Sequence, residues 1–381
     1  MKHYRLFCVG GGSGGHVTPI LPVIRELKKD INLTVDLVVD KGFYHQAKGL
    51  IDQSGLTIRL HTISSGRLRR YAHFKWHDYL RNPKIMWDNF SDIFRTGFGY
   101  SQSLWLLKGR PDAVFAKGGF VSLPFGLAAK TLGVPLIIHD SDARPGLTNK
   151  VLSRFADRIA TGMPSQYYPY DPDITTFTGV PIAPEYRPYD RQEQSELKKS
   201  LGFDPDKPLV VATGGGLGAN TINQALISAG PELLNNGVQI YHITGKDFFH
   251  DAKRKKPDFP EYQMVGFVYS GMSRVLAAAD IVVSRASATT IQELAGLAKA
   301  AILIPARQLS DQQENARIYQ ETDSAVVLSD DDIAESDQLI DTIMRLIRHD
   351  ETRSQMARQL HRFARPQAAG EIARMIWEVM K

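Results

Sequence analysis

The sequence predicts an α/β protein with two Rossmann-like, doubly wound parallel-sheet domains that face a cleft. Three observations predict this fold. Short β-branched runs alternate with longer stretches of helical spacing along the chain. The chain has 381 residues, which at about 150 residues per domain favours more than one domain. Each half opens with a strand, a glycine-rich loop and a helix, so each half resembles a complete sheet domain.

The strand predictions place four strands in each half of the chain. In the first half they lie at 4–9, 34–39, 113–116 and 135–139, and in the second at 209–213, 238–244, 281–284 and 301–305. Segment 163–190 is rich in proline, tyrosine and aspartate without clear periodicity, which is typical of a crossing between domains. We therefore predict domains at 1–180 and 181–365, and a helix at 366–381 that packs on the first domain.

Composition excludes several classes of protein. Hydrophobic residues make up 43% and charged residues 23% of the chain, as expected for a folded protein. The single Cys8 excludes an intramolecular disulfide framework and a multi-cysteine zinc site. No apolar run approaches the roughly 20 residues of a membrane span. The net charge of +5 is too small for a nucleic-acid-coating protein. Glycine follows the first apolar run at once, so we expect a first strand there and no export signal. The expected location is the cytoplasm or the cytoplasmic face of a membrane.

The first glycine loop, Gly10–Gly15, directly follows the first predicted strand. Such a loop lets the backbone turn sharply, and the free N–H groups at the following helix attract anions. The spacing also matches the dinucleotide fingerprint, with Asp40 at the end of the second strand as the ribose-binding acid. The alternative is a tight turn without a ligand. His16 ends the loop, where it would either exchange protons with a substrate hydroxyl or cap the helix.

Two further segments follow predicted strands in the first half. One is the glycine pair of Lys117–Phe120, and the other is His139–Asp142. Asp140 and Asp142 could supply acid, base or metal-ligand chemistry. The same Asp-x-Asp spacing occurs in the turn Asp171-Pro-Asp173, so we assign no metal.

The second half of the chain contains the same anion-binding motif, a glycine-rich loop followed by a helix. Its glycine loop is Gly214–Asn220, and a later helix start at 284–293 is rich in small and hydroxyl residues. Glu293 could bind a ribose diol, and the segment 310–315 offers amide and carboxylate groups for sugar hydroxyls. The alternatives are helix capping by Ser287 and Thr289, and a solvated loop at 310–315.

Segment 67–110 combines positive charge with aromatic residues. It holds nine basic and three acidic residues, so the rest of the chain is nearly neutral. Tyrosine, tryptophan and phenylalanine lie between these charges, as on surfaces that meet anionic lipid. RNA binding and a buried helix pair with a basic outer face are the alternatives. We favour the membrane surface and expect no nucleic-acid partner.

In combination these motifs resemble the MurG family, the UDP-N-acetylglucosamine transferases of peptidoglycan synthesis with the two-domain GT-B fold. The similar segments run in order over nearly the whole chain: 11–19, 117–124, 139–150, 178–181, 214–219, 242–246, 284–293 and 312–316. The resemblance implies inverting transfer of N-acetylglucosamine from UDP-GlcNAc to the 4-hydroxyl of an undecaprenyl-diphosphate-linked muramyl sugar (lipid I to lipid II). It implies no cofactor, and a peripheral protein on the cytoplasmic face of the membrane.

The resemblance also implies residue roles. The first domain would bind acceptor and membrane, with His16 as base and Asp140 and Asp142 as rivals. The second would bind the donor, with residues 287–290 at the diphosphate, Glu293 at the ribose and the main chain around Val268 at uracil. The implied substrate-binding residues are Gly12, Ser13, Gly14, Gly15, Gly118, Gly119, Arg187, Gly216, Val268, Ser287, Ala288, Thr289, Thr290, Glu293, Asp311 and Gln312.

Some positions depart from the family pattern. Ala183 stands where an arginine is usual, with Arg187 as its possible substitute, and Gly216 stands where a serine is usual. Asp311 and Gln312 could exchange roles at the sugar. Other functions remain open: a GT-B enzyme with another acceptor, a UDP-sugar epimerase, an NAD-dependent oxidoreductase, or a catalytically silent sugar-nucleotide-binding protein.

Overall fold

The computed structural model describes residues 2–12, 14–66, 83–335 and 337–381. The chain divides into two compact units. The first contains Met1–Ala183 together with Arg365–Lys381, and the second contains Pro184–Ala364. The sequence analysis puts this boundary a few residues earlier, at 180/181.

The first unit is built on a parallel sheet whose strands, in the described residues, have the order β3-β2-β1-β4-β5-β6-β7. The strands are β1 (His3–Val9), β2 (Asn32–Asp40), β3 (Arg59–Ile63), β4 (Ala113–Ala116), β5 (Leu136–Asp140), β6 (Arg158–Thr161) and β7 (Thr175–Phe177). The helices are α1 (Gly14–Val17), α2 (Ile20–Asp30), α3 (Tyr44–Ser54), α4 (Pro83–Leu106), α5 (Ser122–Leu132) and α6 (Leu147–Leu152). Because the order runs outward from β1 in both directions, this sheet is doubly wound.

The second unit repeats this plan, with described strands in the order β10-β9-β8-β11-β12-β13. The strands are β8 (Leu209–Thr213), β9 (Gln239–Ile243), β10 (Tyr262–Val265), β11 (Ile281–Ser284), β12 (Ala300–Leu303) and β13 (Val326–Val327). The helices are α7 (Arg191–Ser200), α8 (Asn220–Asn235), α9 (Phe249–Lys255), α10 (Met272–Ala278), α11 (Ala288–Leu297), α12 (Ser310–Glu321), α13 (Asp330–Glu335), α14 (Gln338–Arg348) and α15 (Asp350–His361).

The last helix, α16 (Ala368–Met380), belongs to the first unit. It packs against α2, because Ile372 and Ile376 share one helical face and are fully buried in the same core as Ile24. The indole of Trp377 also contacts the ring of Tyr4 edge-on at 5.0 Å between centroids. The end of the chain therefore completes the core of its opening domain.

Both faces of each sheet are covered. In β1, Leu6 and Cys8 face one apolar core and Phe7 and Val9 face another, as the alternation of side chains along a strand requires. Strands buried on both sides leave the strand ends as the place where polar groups can meet a ligand. The carboxyl ends of the parallel strands therefore position the candidate site in each unit.

The local predictions were incomplete at several strands and wrong at one loop. Strands β3, β6, β10 and β13 were not among the strands predicted from the sequence. The predicted crossing 163–190 contains β7, a short edge strand whose few residues carry too little pattern to be detected. The solvated-loop alternative for 310–315 was wrong, because these residues form the first turns of α12. Its buried face of Asn315, Ala316 and Tyr319 has helical spacing, but the surrounding polar residues hide that spacing.

Candidate functional site

The two glycine loops of the first unit touch each other at the carboxyl edge of the sheet. Gly119 has a φ of +80°, and a Cβ atom there would lie 2.5 Å from the carbonyl oxygen of Gly11, so only glycine fits. The Gly12 N–H donates to Oδ2 of Asp40 at 2.8 Å. The first glycine loop is thus held by Gly119 on one side and by Asp40 on the other.

The hydrogen bond between Gly12 and Asp40 is relevant to the alternative that this loop binds a dinucleotide. In that interpretation the carboxylate at the end of β2 accepts hydrogen bonds from a ribose. Here Asp40 is almost fully buried and its Oδ2 is engaged by the loop backbone. The geometry therefore favours a loop-holding role for Asp40 over a ribose-binding one.

His16 lies between the two loops, within the short helix α1. Its Nδ1 is buried and has no hydrogen-bonding partner in the described part of the chain, and the same is true of Oδ1 of Asn149. Both atoms border the space beside Gly118, at 3.6 and 3.7 Å from where a Cβ atom would be. Burial, assisted by the charge of Lys117, lowers the pKa of His16 to about 4. The imidazole is therefore uncharged at neutral pH and able to accept a proton.

Lys117 is the centre of charge in this region. Its side chain is almost fully buried, and Nζ donates a hydrogen bond to the hydroxyl of Ser141. Burial lowers the pKa of Lys117 to about 8, while Asp142 and Asp140 act in the opposite direction. The ammonium group therefore remains largely charged at pH 7.

Asp140 ends β5 and is also buried. Burial raises its pKa to about 7, although the hydrogen bond from Tyr170 opposes that rise. The Tyr170 hydroxyl donates to Oδ2 of Asp140 at 2.6 Å, and its ring stacks on Tyr168. The Tyr168 hydroxyl in turn contacts the main-chain carbonyl of Asp142 at 2.9 Å. Two stacked tyrosines thus hold the end of β5.

The remaining predicted residues of the first unit fall around this cluster. Gly14 and Gly15 lie in α1, Gly118 lies beside Asn149, and Asp142 follows β5. Ser13 lies outside the described residues. No group of three or more His, Cys, Asp or Glu side chains suited to a metal ion is found among the described residues.

The glycine loop of the second unit packs against the segment after β9. Gly218 has a φ of +78°, and a Cβ atom there would lie 2.3 Å from the Thr244 carbonyl oxygen. Gly216 is different: it is exposed, and a Cβ atom there would meet nothing within 4 Å. A side chain can therefore be added at Gly216 but not at Gly218.

The predicted diphosphate segment forms the start of α11. Ser287 is its N-cap, with Oγ accepting from the Thr290 N–H at 3.3 Å and donating to the Thr290 hydroxyl at 2.8 Å. The capping alternative for Ser287 is therefore confirmed. Ala288 and Thr289 form the first turn, where N–H groups without helical partners favour an anion.

Glu293 lies in the next turn of α11 and is hydrogen-bonded by the hydroxyl of Tyr186. Burial raises the pKa of Glu293 to about 7 even though this hydrogen bond lowers it. The carboxyl is therefore poised between its neutral and ionised forms near neutral pH.

The polar residues of the predicted sugar segment form hydrogen bonds with the backbone. Oε1 of Gln312 accepts from the Ala306 N–H at 3.0 Å, and Nδ2 of Asn315 donates to the Ala286 carbonyl at 3.1 Å. Asp311 is half-buried in the first turn of α12. These contacts connect the loop after β12 with the start of α11.

Two predicted donor residues lie apart from that framework. Val268 is half-buried and packs on the core of the second unit. Arg187 is exposed and makes a double ion pair with Glu193, at 2.6 and 3.1 Å, which lowers the pKa of Glu193 to about 2. A substrate role for Arg187 therefore requires that it leave Glu193.

Three residues of these clusters were missed as site residues by the sequence analysis: Lys117, Tyr170 and Tyr186. Lys117 was the most accessible to prediction, because it follows a strand and precedes the glycine pair. The two tyrosines lie in a segment without periodicity, and nothing local points to Asp140 or Glu293 as their partners.

One face of α4 exposes large apolar side chains. Trp87 and Trp105 are 71% and 74% exposed. Phe90, Ile93, Phe94 and Phe98 are further exposed apolar side chains among residues 87–106 of this helix. We call these six residues the α4 apolar face. The remainder of the predicted basic aromatic segment, 67–82, lies outside the described residues. No described helix has both the length and the apolar composition needed to cross a membrane.

Comparison with known proteins agrees with this architecture. The model of the glycosyltransferase family 28 N-terminal domain matches residues 6–161, and that of the C-terminal domain matches residues 209–372. Two curated proteins named UDP-N-acetylglucosamine--N-acetylmuramyl-(pentapeptide) pyrophosphoryl-undecaprenol N-acetylglucosamine transferase are similar. The one from Lachnospira eligens is 34% identical, covering 90% of each chain, and the one from Desulforamulus reducens is 31% identical, covering 99% of each chain.

A solved structure is similar over the same length. MurG from Acinetobacter baumannii matches with a TM-score of 0.71 and 22% identity, covering 99% of this chain and 100% of that one. At this identity the likeness shows the GT-B fold alone. The two domain models and the full-length relatives show more: this chain belongs to glycosyltransferase family 28, in the group of the UDP-N-acetylglucosamine--N-acetylmuramyl-(pentapeptide) pyrophosphoryl-undecaprenol N-acetylglucosamine transferases.

Proposed function

We propose that this protein transfers N-acetylglucosamine from UDP-GlcNAc to the 4-hydroxyl of the muramyl sugar of lipid I, forming the β-1,4 linkage of lipid II and releasing UDP. The observation that carries the proposal is the likeness to transferases of that name over 90–99% of the chain. The glycine loops of both units lie within the matched length.

We assign the acceptor chemistry to the first unit, with His16 as the base. Its Nδ1 has no hydrogen-bonding partner among the described residues and borders the space beside Gly118. The 4-hydroxyl gives its proton to the imidazole of His16 as its oxygen bonds to the anomeric carbon, and the bond from that carbon to the diphosphate breaks. A lipid-linked diphosphate bound at the loops would bring negative charge near His16 and raise its pKa from about 4 toward neutrality. Asp140 and Asp142 are the alternative bases.

We assign donor binding to the second unit. The leaving UDP carries negative charge, which the N–H groups at the start of α11 stabilise. Glu293 would accept hydrogen bonds from the ribose diol, the main chain at Val268 would bind uracil, and Gln312 or Asp311 would bind the sugar hydroxyls. The free space at Gly216 leaves that part of the donor site without a side-chain contact.

A lipid-linked acceptor requires contact with a membrane surface. The α4 apolar face suits that contact, because large apolar and aromatic side chains on one face of a helix favour the membrane interface. We propose peripheral binding on the cytoplasmic face through this helix and the basic segment 67–82.

A transfer assay tests the proposed function. Purified protein with lipid I and UDP-GlcNAc should yield lipid II and UDP in equal amounts. Incubation of the protein with UDP-GlcNAc alone should leave the UDP-GlcNAc unchanged. A UDP-sugar epimerase would instead convert UDP-GlcNAc without an acceptor. Absence of lipid II in the full mixture would contradict the proposal.

Vesicle co-sedimentation tests the membrane contact. The double variant Phe94→Ser and Trp105→Ser should bind phosphatidylglycerol vesicles at least tenfold more weakly than the wild type, because two apolar side chains leave the interface. The affinity of this variant for UDP, measured without vesicles, should equal that of the wild type. Equal vesicle binding by both proteins would contradict a role for α4.

A further inference from the structure

Lys117 is a buried cation that the proposed chemistry does not yet use. It follows β4 directly, and its side chain is only 2% exposed. Burying an ammonium group without partners is costly, so neighbouring groups must stabilise the charge of Lys117.

The hydrogen bonds around Lys117 have a defined direction. The Nζ group donates to the hydroxyl of Ser141. Nε2 of His139 lies 2.9 Å from the Gly179 carbonyl oxygen and must be the protonated nitrogen, because a carbonyl only accepts. The neutral Nδ1 of His139 is then an acceptor and faces the Ser141 hydroxyl at 3.5 Å. Ser141 therefore accepts from Lys117 while its own proton points to His139.

The groups that face Lys117 come from several elements. His16 comes from α1, His139 and Asp140 come from β5, and Asp142 comes from the loop after it. Tyr170 acts through Asp140, which it hydrogen-bonds. The positive charge disfavours protonation of both histidines and favours ionisation of Asp140.

We propose that Lys117 is a positioning residue for the transfer reaction, holding the end of β5 through Ser141 and directing its positive charge at the candidate bases His16, Asp140 and Asp142. This inference rests on the proposed function, because it assigns Lys117 to the acceptor side of that reaction. Lys117 keeps the candidate base in its proton-accepting form; it takes no part in bond making itself.

The pH dependence of kcat/KM for lipid I distinguishes this role from a purely structural one. The charge of Lys117 lowers the pKa of His16 and of Asp140, so its removal in Lys117→Met should raise both pKa values. The acid limb of the profile should therefore move to higher pH by roughly one pH unit whether His16 or Asp140 accepts the proton. The matched control is Lys130→Met, which removes an exposed lysine of α5 and should leave the limb in place. A uniform loss of rate at all pH values in Lys117→Met would overturn the proposal.

Two further variants keep the test decisive if Lys117→Met folds poorly. Lys117→Arg retains the charge and should retain the wild-type acid limb. Ser141→Ala removes the acceptor of Nζ and should lower kcat several-fold without changing UDP affinity. An unshifted acid limb of the pH profile in Lys117→Met would contradict the charge-based role. A shifted acid limb in Lys117→Arg would contradict it as well.

An NMR titration separates failure of this inference from failure of the proposed function. The imidazole signals of His16 in the ligand-free protein report its pKa without any turnover. The pKa of His16 should rise in Lys117→Met and remain unchanged in Lys130→Met, even if the wild type makes no lipid II. An unchanged His16 pKa in Lys117→Met would overturn the inference while leaving the proposed transferase activity intact.

Discussion

The carboxyl edges of the two sheets have the same architecture but different chemistry. In the first unit, the edge gathers buried titratable groups with shifted pKa values: His16, Lys117, His139 and Asp140. In the second unit, the edge combines helix N–H groups, hydroxyls and amides with the ion pair of Arg285 and Asp330 and with Glu293, whose pKa burial raises to about 7.

The same fold can therefore perform two different tasks in one chain. Shifted pKa values at a strand edge are typical of proton transfer, whereas neutral dipoles at a helix start are typical of binding an anion. The first unit is therefore suited to activating an acceptor hydroxyl, and the second to holding a sugar nucleotide. Variants that affect one task and spare the other test this division.

The largest effect is expected for His16→Ala. Loss of the base should lower kcat/KM for lipid I roughly 100- to 10,000-fold, as measured by lipid II formation. His45→Ala, which removes an exposed histidine of α3, is the matched control and should retain full activity. Unchanged turnover in His16→Ala would move the role of base to Asp140 or Asp142.

A smaller effect on the other side of the comparison is expected for Glu293→Gln. Loss of a charged acceptor should raise KM for UDP-GlcNAc roughly 10- to 100-fold. In the wild type, donor affinity should fall as the pH drops below about 7, where Glu293 becomes protonated, and the variant should lose that dependence. Glu232→Gln on the exposed side of α8 serves as control. A pH-independent wild-type KM would argue against the ribose contact.

Gly216→Ser should have a modest effect in the favourable direction. The position has free space and a φ outside the left-handed region, so a serine fits without strain. One added hydrogen bond to the donor should lower KM for UDP-GlcNAc by about two- to tenfold. Steady-state kinetics measure the change, and a higher KM would indicate that the loop does not approach the donor.

Asp36→Asn should leave catalysis almost unchanged and lower stability. Asp36 is fully buried, and although burial raises its pKa, hydrogen bonds from His61, Arg5 and Arg59 hold that pKa at about 2. Its contribution is present above the usual value of 3.8 and is lost as the pH falls through about 2. Loss of the charge should lower the free energy of unfolding by about 3 kcal/mol, measured by urea denaturation at pH 7. Wild-type stability in the variant would contradict this account.

The sequence could predict what depends on neighbouring residues. The strands at 113–116, 209–213 and 281–284 match the structure residue for residue, because buried β-branched runs bounded by turns are a local signal. The glycine loops were recognised for the same reason. The helical turn at Gly14–Val17 was not predicted, because glycine-rich sequence disfavours a helix and tertiary packing overrides that preference.

The site could be predicted only in part, because side-chain pairing depends on the folded chain. Asp140 and Tyr170 are hydrogen-bonded although they lie 30 residues apart, and no local pattern joins them. The engagement of Asp40 with Gly12 likewise joins the ends of two strands. Which carboxyl is ionised depends on burial, and burial follows from the packing of several elements together.

The most direct test of the division between the two units is the affinity for UDP, measured by titration calorimetry in three proteins. His16→Ala should bind UDP as the wild type does, within a factor of two, while Glu293→Gln should bind it at least tenfold more weakly. Loss of UDP affinity in His16→Ala, with full affinity in Glu293→Gln, would contradict the assignment of donor binding to the second unit.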